Sequence, residues 1–144
     1  MRAVPWATCL AALCACGDDN PTGAIPFDLG GDPFHVDIDL NSGLDQCTAE
    51  GTLHFTQSGD QLTGTLTGTR TCNFTDTDLT GSITSGTLNG RQLSFTAETG
   101  MAVCTFTGEE GRDGSNEELR GTVECHYGER LYTGLFVAFR DTAS

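Results

Sequence analysis

The chain has 144 residues, with 20 acidic side chains against seven basic ones and a formal net charge of −13; every basic residue is an arginine. That balance disfavours nucleic acid and anionic lipid surfaces as partners, since both repel an acidic exterior. Gly and Thr dominate beyond the first residues, and Ala, Leu, Lys and Glu are too thin to write a long helix, so the composition predicts an all-β protein.

At the N-terminus, Met1-Arg2 leads into a short apolar run from Ala3 to Leu13, with the small Ala15 just before Cys16. A positive end, a short apolar core and a small residue before a cut are the parts of an export signal. The run is far shorter than the ~20 apolar residues that span a bilayer. Leu13-Cys14-Ala15-Cys16 resembles the lipobox of bacterial lipoproteins. The resemblance implies that residues 1–15 are a lipoprotein signal peptide, which removes Cys9 and Cys14. It also implies that Cys16 becomes an N-terminus carrying acyl chains such as palmitate, anchored to a membrane of the cell envelope. More than one chain suits the rule that stable anchoring takes two apolar signals. Gly17 stands where an Asp would direct inner-membrane retention, so the resemblance points to the outer membrane. Residues 16–32 then read as the lipidated cysteine and a flexible tether, polar and Gly/Pro-containing from Gly17 to Pro26. Residues 33–144 are left as a single domain, large enough to bury about two-thirds of its unfolded surface.

Within that domain, period-two alternation recurs. Phe34, Val36, Ile38 and Leu40 share one face of a first strand. Leu53 and Phe55 mark a second, Leu62 and Leu66 a third, Leu79 and Ile83 a fourth. Leu93, Phe95 and Ala97 mark a fifth, Cys104 and Phe106 a sixth, and Leu119, Val123, Cys125 and Tyr127 a seventh. The last runs from Leu131 to Phe139 and is apolar on both faces. Asn89-Gly90 is the strongest hairpin signal, and Ser58-Gly59, Thr99-Gly100 and Gly128-Glu129 also fit short hairpins. One connection, Glu109 to Asn116, reads as a long acidic loop. Short turns between sequential strands predict an antiparallel up-and-down meander of about eight strands closing into a small barrel, with a two-layer β-sandwich as the alternative.

A phrase recurs at the hairpins. It reads Gln57-Ser58-Gly59-Asp60-Gln61-Leu62-Thr63-Gly64, with echoes at Leu79-Thr80-Gly81, Leu119-Arg120-Gly121 and Tyr132-Thr133-Gly134, and the closing strand is Gly134-Leu135-Phe136-Val137-Ala138-Phe139-Arg140. From about Cys47 to Arg140 this resembles a group of bacterial secreted proteins and lipoproteins built as small lipocalin-like β-barrels. That resemblance implies the barrel fold. The lipocalin Gly-x-Trp of the first strand is missing, because the only tryptophan is Trp6, inside the signal.

Cys47, Cys72, Cys104 and Cys125 remain after processing. They are even in number and belong to an exported chain, so disulfides are expected. Each shares the inward parity of its strand. Cys104 and Cys125 are mirror-spaced about the acidic connection, and Cys47 and Cys72 bracket the Ser58-Gly59 hairpin. The predicted bridges are therefore Cys47–Cys72 and Cys104–Cys125. A zinc or redox role would want a closely spaced Cys-x-x-Cys pair, and there is none.

Alternate oxygen ligands at Asp37, Asp39, Asn41 and Asp45 suggest a calcium loop, yet counting from Asp37 the Gly falls at position seven and position twelve is Thr48, unlike an EF-hand. The acidic Glu109–Glu118 stretch is a second cation candidate, with a solvated hairpin tip as its ordinary reading. His35, His54 and His126 have outward parity and no partner at ligand or triad spacing. No nucleophile elbow, phosphate loop or paired-carboxylate constellation stands out, so neither an enzyme nor a cofactor is expected. The expectation is a membrane-anchored binding or envelope-structural barrel, its partner an envelope protein or a small apolar ligand. A lipocalin-like carrier is the alternative, with room inside supplied by inward glycines at 51, 64, 81 and 121.

Overall fold

A computed structural model of the protein describes residues 28–113 and 116–141. Eight strands follow one another: β1 (Phe34–Ser42), β2 (Asp45–Ser58), β3 (Gln61–Cys72), β4 (Thr75–Asn89), β5 (Gln92–Thr99), β6 (Val103–Asp113), β7 (Asn116–Tyr127) and β8 (Arg130–Asp141). Each pairs antiparallel with the next, and β8 returns to β1 from His35↔Phe139 to Asn41↔Thr133. The sheet is thus a closed meander without an open edge, as the turn spacing predicts, and the sandwich alternative is excluded. Alternation does the positioning. In β1, Phe34, Val36, Ile38 and Leu40 are buried while His35, Asp37, Asp39 and Asn41 face solvent. Gly43, Gly59, Gly90 and Gly128 supply the positive φ that tight hairpins demand.

The lumen is packed with side chains. Phe95 stacks on Phe106 at 4.6 Å between ring centroids, and Phe55 and Phe136 meet Phe95 edge-on at 5.2 and 6.3 Å. Phe34 extends this cluster to Phe55 at 6.0 Å. The inward glycines do not create room, contrary to the sequence expectation. Gly51 faces Gly68 and Gly121 faces Gly108 across neighbouring strands. A Cβ on Gly51 would sit 2.1 Å from the Thr67 carbonyl oxygen, and one on Gly121 would sit 2.0 Å from that of Thr107. The space is taken by adjacent backbone, because a small, strongly coiled barrel brings strands this close only where Cβ is missing.

The two ends differ. Hairpins 43–44, 73–74, 100–102 and 128–129 gather at one end, near the four cysteines. Hairpins 59–60 and 90–91 lie at the other, where the chain enters β1. At this second end, residues 28–32, read from sequence as the last part of the tether, pack onto the barrel instead. Leu29 is fully buried, its N–H donates to Gln57 Oε1 at 2.8 Å, and Gly30 forms a parallel bridge with Phe55. Arg140 holds the segment in place. Its Nη1 donates to the carbonyls of Leu29, Gly30 and Asp32 and its Nη2 to that of Asp28, while Nε pairs with Glu117 and the guanidinium lies 4.4 Å over the Phe34 ring. An apolar side chain in the lumen opening, tied by an arginine, plugs this end.

The acidic connection also differs from its sequence reading. β6 and β7 stay paired as far as Asp113↔Asn116, so residues 109–113 and 116–118 are hairpin arms. Glu110 has inward parity and is buried, facing Arg91 and Arg112; Glu117 meets Arg112 and Arg140. These carboxylates answer arginines at the plugged end, as buried charges must. Residues 1–15, Cys16 and the first part of the tether lie outside the described residues.

Candidate functional site at the disulfide end

The two bridges form as predicted, Cys47–Cys72 with Cα atoms 4.3 Å apart and Cys104–Cys125 at 4.0 Å, because both pairs are direct cross-strand partners. Their placement is informative. One joins β2 to β3 and the other β6 to β7, on opposite sides of an eight-strand ring.

Two residues before Cys72, with the same inward parity, stands Arg70. Two residues after Cys125 stands Tyr127. The Arg70 guanidinium crosses the mouth and lies 4.9 Å over the Tyr127 ring. Tyr127 in turn meets Tyr132 of β8 edge-on at 5.1 Å. Each disulfide therefore pins the strand that carries one half of the bar. Tyr132 Oη donates to Asp45 Oδ2 and accepts from Arg130 Nη1, both at 3.4 Å, and Arg130 and Asp45 are ion-paired. The hydrogen bond to Tyr132 and then the Asp45 carboxylate raise the Arg130 pKa above its ordinary value, so this arginine stays charged and self-neutralised within the group.

Arg70 is the exception. Arg91, Arg112, Arg120, Arg130 and Arg140 each have a carboxylate within salt-bridge distance, and among the described arginines Arg70 alone has none. Its Nε is buried and makes no hydrogen bond. A guanidinium offers five N–H donors in a planar fork suited to carboxylate and phosphate oxygens. In a chain of 20 acids, an unanswered one is conspicuous. Around it, three of the four hairpin tips carry an exposed apolar side chain, and the fourth is Gly128-Glu129. Leu44 and Phe74 are fully exposed at the tips of their hairpins, and Met101 is more than half exposed. The tip bearing Met101 is held by Thr99, whose Oγ1 accepts from the N–H groups of Met101 and Ala102. At the plugged end the corresponding tip positions are Gly59-Asp60 and Gly90-Arg91.

The other sequence candidates fall elsewhere. Asp37, Asp39 and Asn41 project outward along β1, where alternate residues lie about 6.8 Å apart, so they form a row and not a cage. Asp45 is engaged at the mouth with Arg130. His35, His54 and His126 are all exposed on the outer wall. His35 does come together with Asp37 and Glu50, with ligand-capable atoms within 4.8 Å, because Asp37 is the cross-strand partner of Glu50. This trio is exposed on the outer wall, and its Asp37 and Glu50 border a groove of about 580 Å³ that Asp39, Thr71 and Asp76 also line. A second outer groove, of about 490 Å³, lies over β4–β7 beside Asn89, Gln92 and Glu109. Sequence reasoning missed Arg70, Tyr127 and Tyr132 as a group, although a charged residue at inward parity two places from a cysteine was a readable signal.

No family model matches the chain, and neither does any curated protein. Among solved structures it is similar to rhizavidin in its biotin complex, at 14% identity and TM-score 0.40, covering 72% of this chain and 97% of that one. It is likewise similar to rhizavidin alone, at 12% and 0.45 over 81% and 87%, and to the intact apo form of afifavidin, at 15% and 0.41 over 77% and 83%. Likenesses this distant carry no functional argument, and the barrel assignment rests on the strand ladder itself.

Proposed function

We propose that this protein is an exported, lipid-anchored and non-enzymatic binding module of the cell envelope, tethered through Cys16, with its small-ligand site at the disulfide-end mouth. The anchor reading is supported by the Leu13-Cys14-Ala15-Cys16 run and the apolar segment before it. The observation that carries the binding reading is Arg70: inward, unpaired and with a buried, unbonded Nε in a chain that answers its other described arginines with acids. An interior carrier is not favoured, because phenylalanines meet ring to ring across the lumen. The ligand reading moves from the lumen to its opening.

Native mass spectrometry of the Cys16→Ser chain purified from its own host tests the binding part. A co-purified small molecule that is lost on Arg70→Met supports the reading. A molecule retained in that variant, or repeatedly empty protein, speaks against it. Intact mass of the wild-type membrane form tests the anchor, and an unmodified Cys16 or a cut elsewhere overturns it.

A further inference from the structure

We infer that the ligand of this mouth is a single-chain amphiphile with one oxyanion head, the head on Arg70 and the chain against the rim of Leu44, Phe74 and Met101; this rests on the reading that the mouth is the binding site. The head follows from the donors. One face of the Arg70 guanidinium is covered by Tyr127 and its Nε is buried, which leaves the in-plane N–H groups of Nη1 and Nη2 as the free recognition surface, and these suit a carboxylate or a phosphate monoester. The chain as a whole, at −13, repels anions, so an anion binds here only through this local cation. Of the acids at this end, Asp45 is matched by Arg130, Asp76 accepts from the Thr71 hydroxyl, and Glu129 is exposed on the β7–β8 tip; none lies within salt-bridge distance of Arg70.

The chain follows from the rim. Singly exposed apolar residues are ordinary on protein surfaces. Here the successive tips β1–β2, β3–β4 and β5–β6 each present one, and all surround the same opening. Phe74 is held outward at φ 65, in a region that bulky residues avoid, with its ring touching nothing of its own chain. Phe74 lies four residues beyond Arg70, two along β3 and two in the reversing turn, so the two side chains are closer than the roughly 13 Å that four extended residues span, a distance within reach of a medium-length alkyl chain. An inorganic anion would leave this rim unused, and an uncharged apolar molecule would leave Arg70 unanswered.

The test titrates the exported, oxidised Cys16→Ser chain with dodecanoate, dodecanol and acetate, following the Arg70 Nε–H signal and the Leu44 and Met101 methyl signals by NMR. Dodecanoate is expected to bind at least about tenfold more tightly than either control and to shift both sets of signals. Arg70→Met is expected to reduce dodecanoate to the level of dodecanol, Phe74→Ser to weaken it toward acetate, and Arg70→Lys to keep part of the head preference. Dodecyl phosphate separates the two head classes. Equal affinity for dodecanoate and dodecanol, or for dodecanoate and acetate, overturns the amphiphile. In the second case the mouth survives as a plain anion site, so the broader reading stands. Shifts produced by phosphatidylcholine vesicles but not by free amphiphile would make the rim a bilayer contact instead and overturn the proposal. Failure of every probe removes the proposal and the mouth reading together.

Discussion

At the plugged end one inward arginine, Arg140, bonds four backbone carbonyls, pairs with Glu117 and covers an aromatic ring. At the disulfide end another inward arginine, Arg70, has an aromatic ring and nothing else. The strands around both are paired in one continuous ladder, so the contrast lies in what the side chains are given to bind. Arg140 is used to hold the fold together. Arg70 is held by the fold, through disulfides placed two residues away on each side of the mouth, and presented. A guanidinium satisfied from within is structural, whereas one fixed in position and left unsatisfied has its recognition surface free.

The same substitution at both positions separates these roles. Arg140→Met leaves Glu117 and the carbonyls of residues 28–32 without their donor in a nearly buried place, and is expected to cost about 3–4 kcal/mol. Urea denaturation measures it, and adding Glu117→Gln should restore part of the loss, as coupled partners do. A cost below ~1 kcal/mol would mean that the plug holds without its arginine. Replacing Cys47 and Cys72 together by Ala is the next largest effect, about 3 kcal/mol for a bridge across a sequence separation of 25, and the Cys104–Cys125 bridge at 21 should match it. Arg70→Met orphans no carboxylate, so its cost should stay under about 1 kcal/mol by the same denaturation measurement. A loss as large as that of Arg140→Met would erase the distinction between the ends.

Much of this was legible in the chain. Parity marked eight strands, turn chemistry marked four of the hairpins but not those at Gly43-Leu44 and Asn73-Phe74, and the four cysteines paired as their inward positions require. Three things were not legible, each because local pattern does not report a tertiary partner. Leu29 sits in a polar Gly/Pro stretch that reads as tether, and its burial depends on an arginine 111 residues later. Glu110 looks like loop acidity until Arg91 and Arg112 are brought beside it. The inward glycines suggest space, but the backbone of the next strand fills it. The mouth lay between these cases. Arg70 and Tyr127 have readable parity, yet their meeting across the ring depends on a closure that alternation alone does not reveal.

The smallest expected effect is the most discriminating for the disulfide end. Asn73 and Phe74 occupy a two-residue turn at φ 50 and 65. Asn is at home there and Phe is not, since left-handed backbone costs a residue with a Cβ about 1–2 kcal/mol. Phe74→Gly removes that strain and, because the ring touches nothing, sacrifices no packing. Glycine returns some of the gain by loosening the unfolded chain, by about 0.4–1 kcal/mol. The net is a stabilisation of about 0.5 kcal/mol, seen as a rise of roughly 2 °C in Tm. A more stable variant that binds dodecanoate less well would show that Phe74 is kept against the preference of its own turn and for contact with a ligand. Stability lost on Phe74→Gly would instead place the ring among the supports of the fold, and the contrast between the two ends would then rest on Arg70 alone.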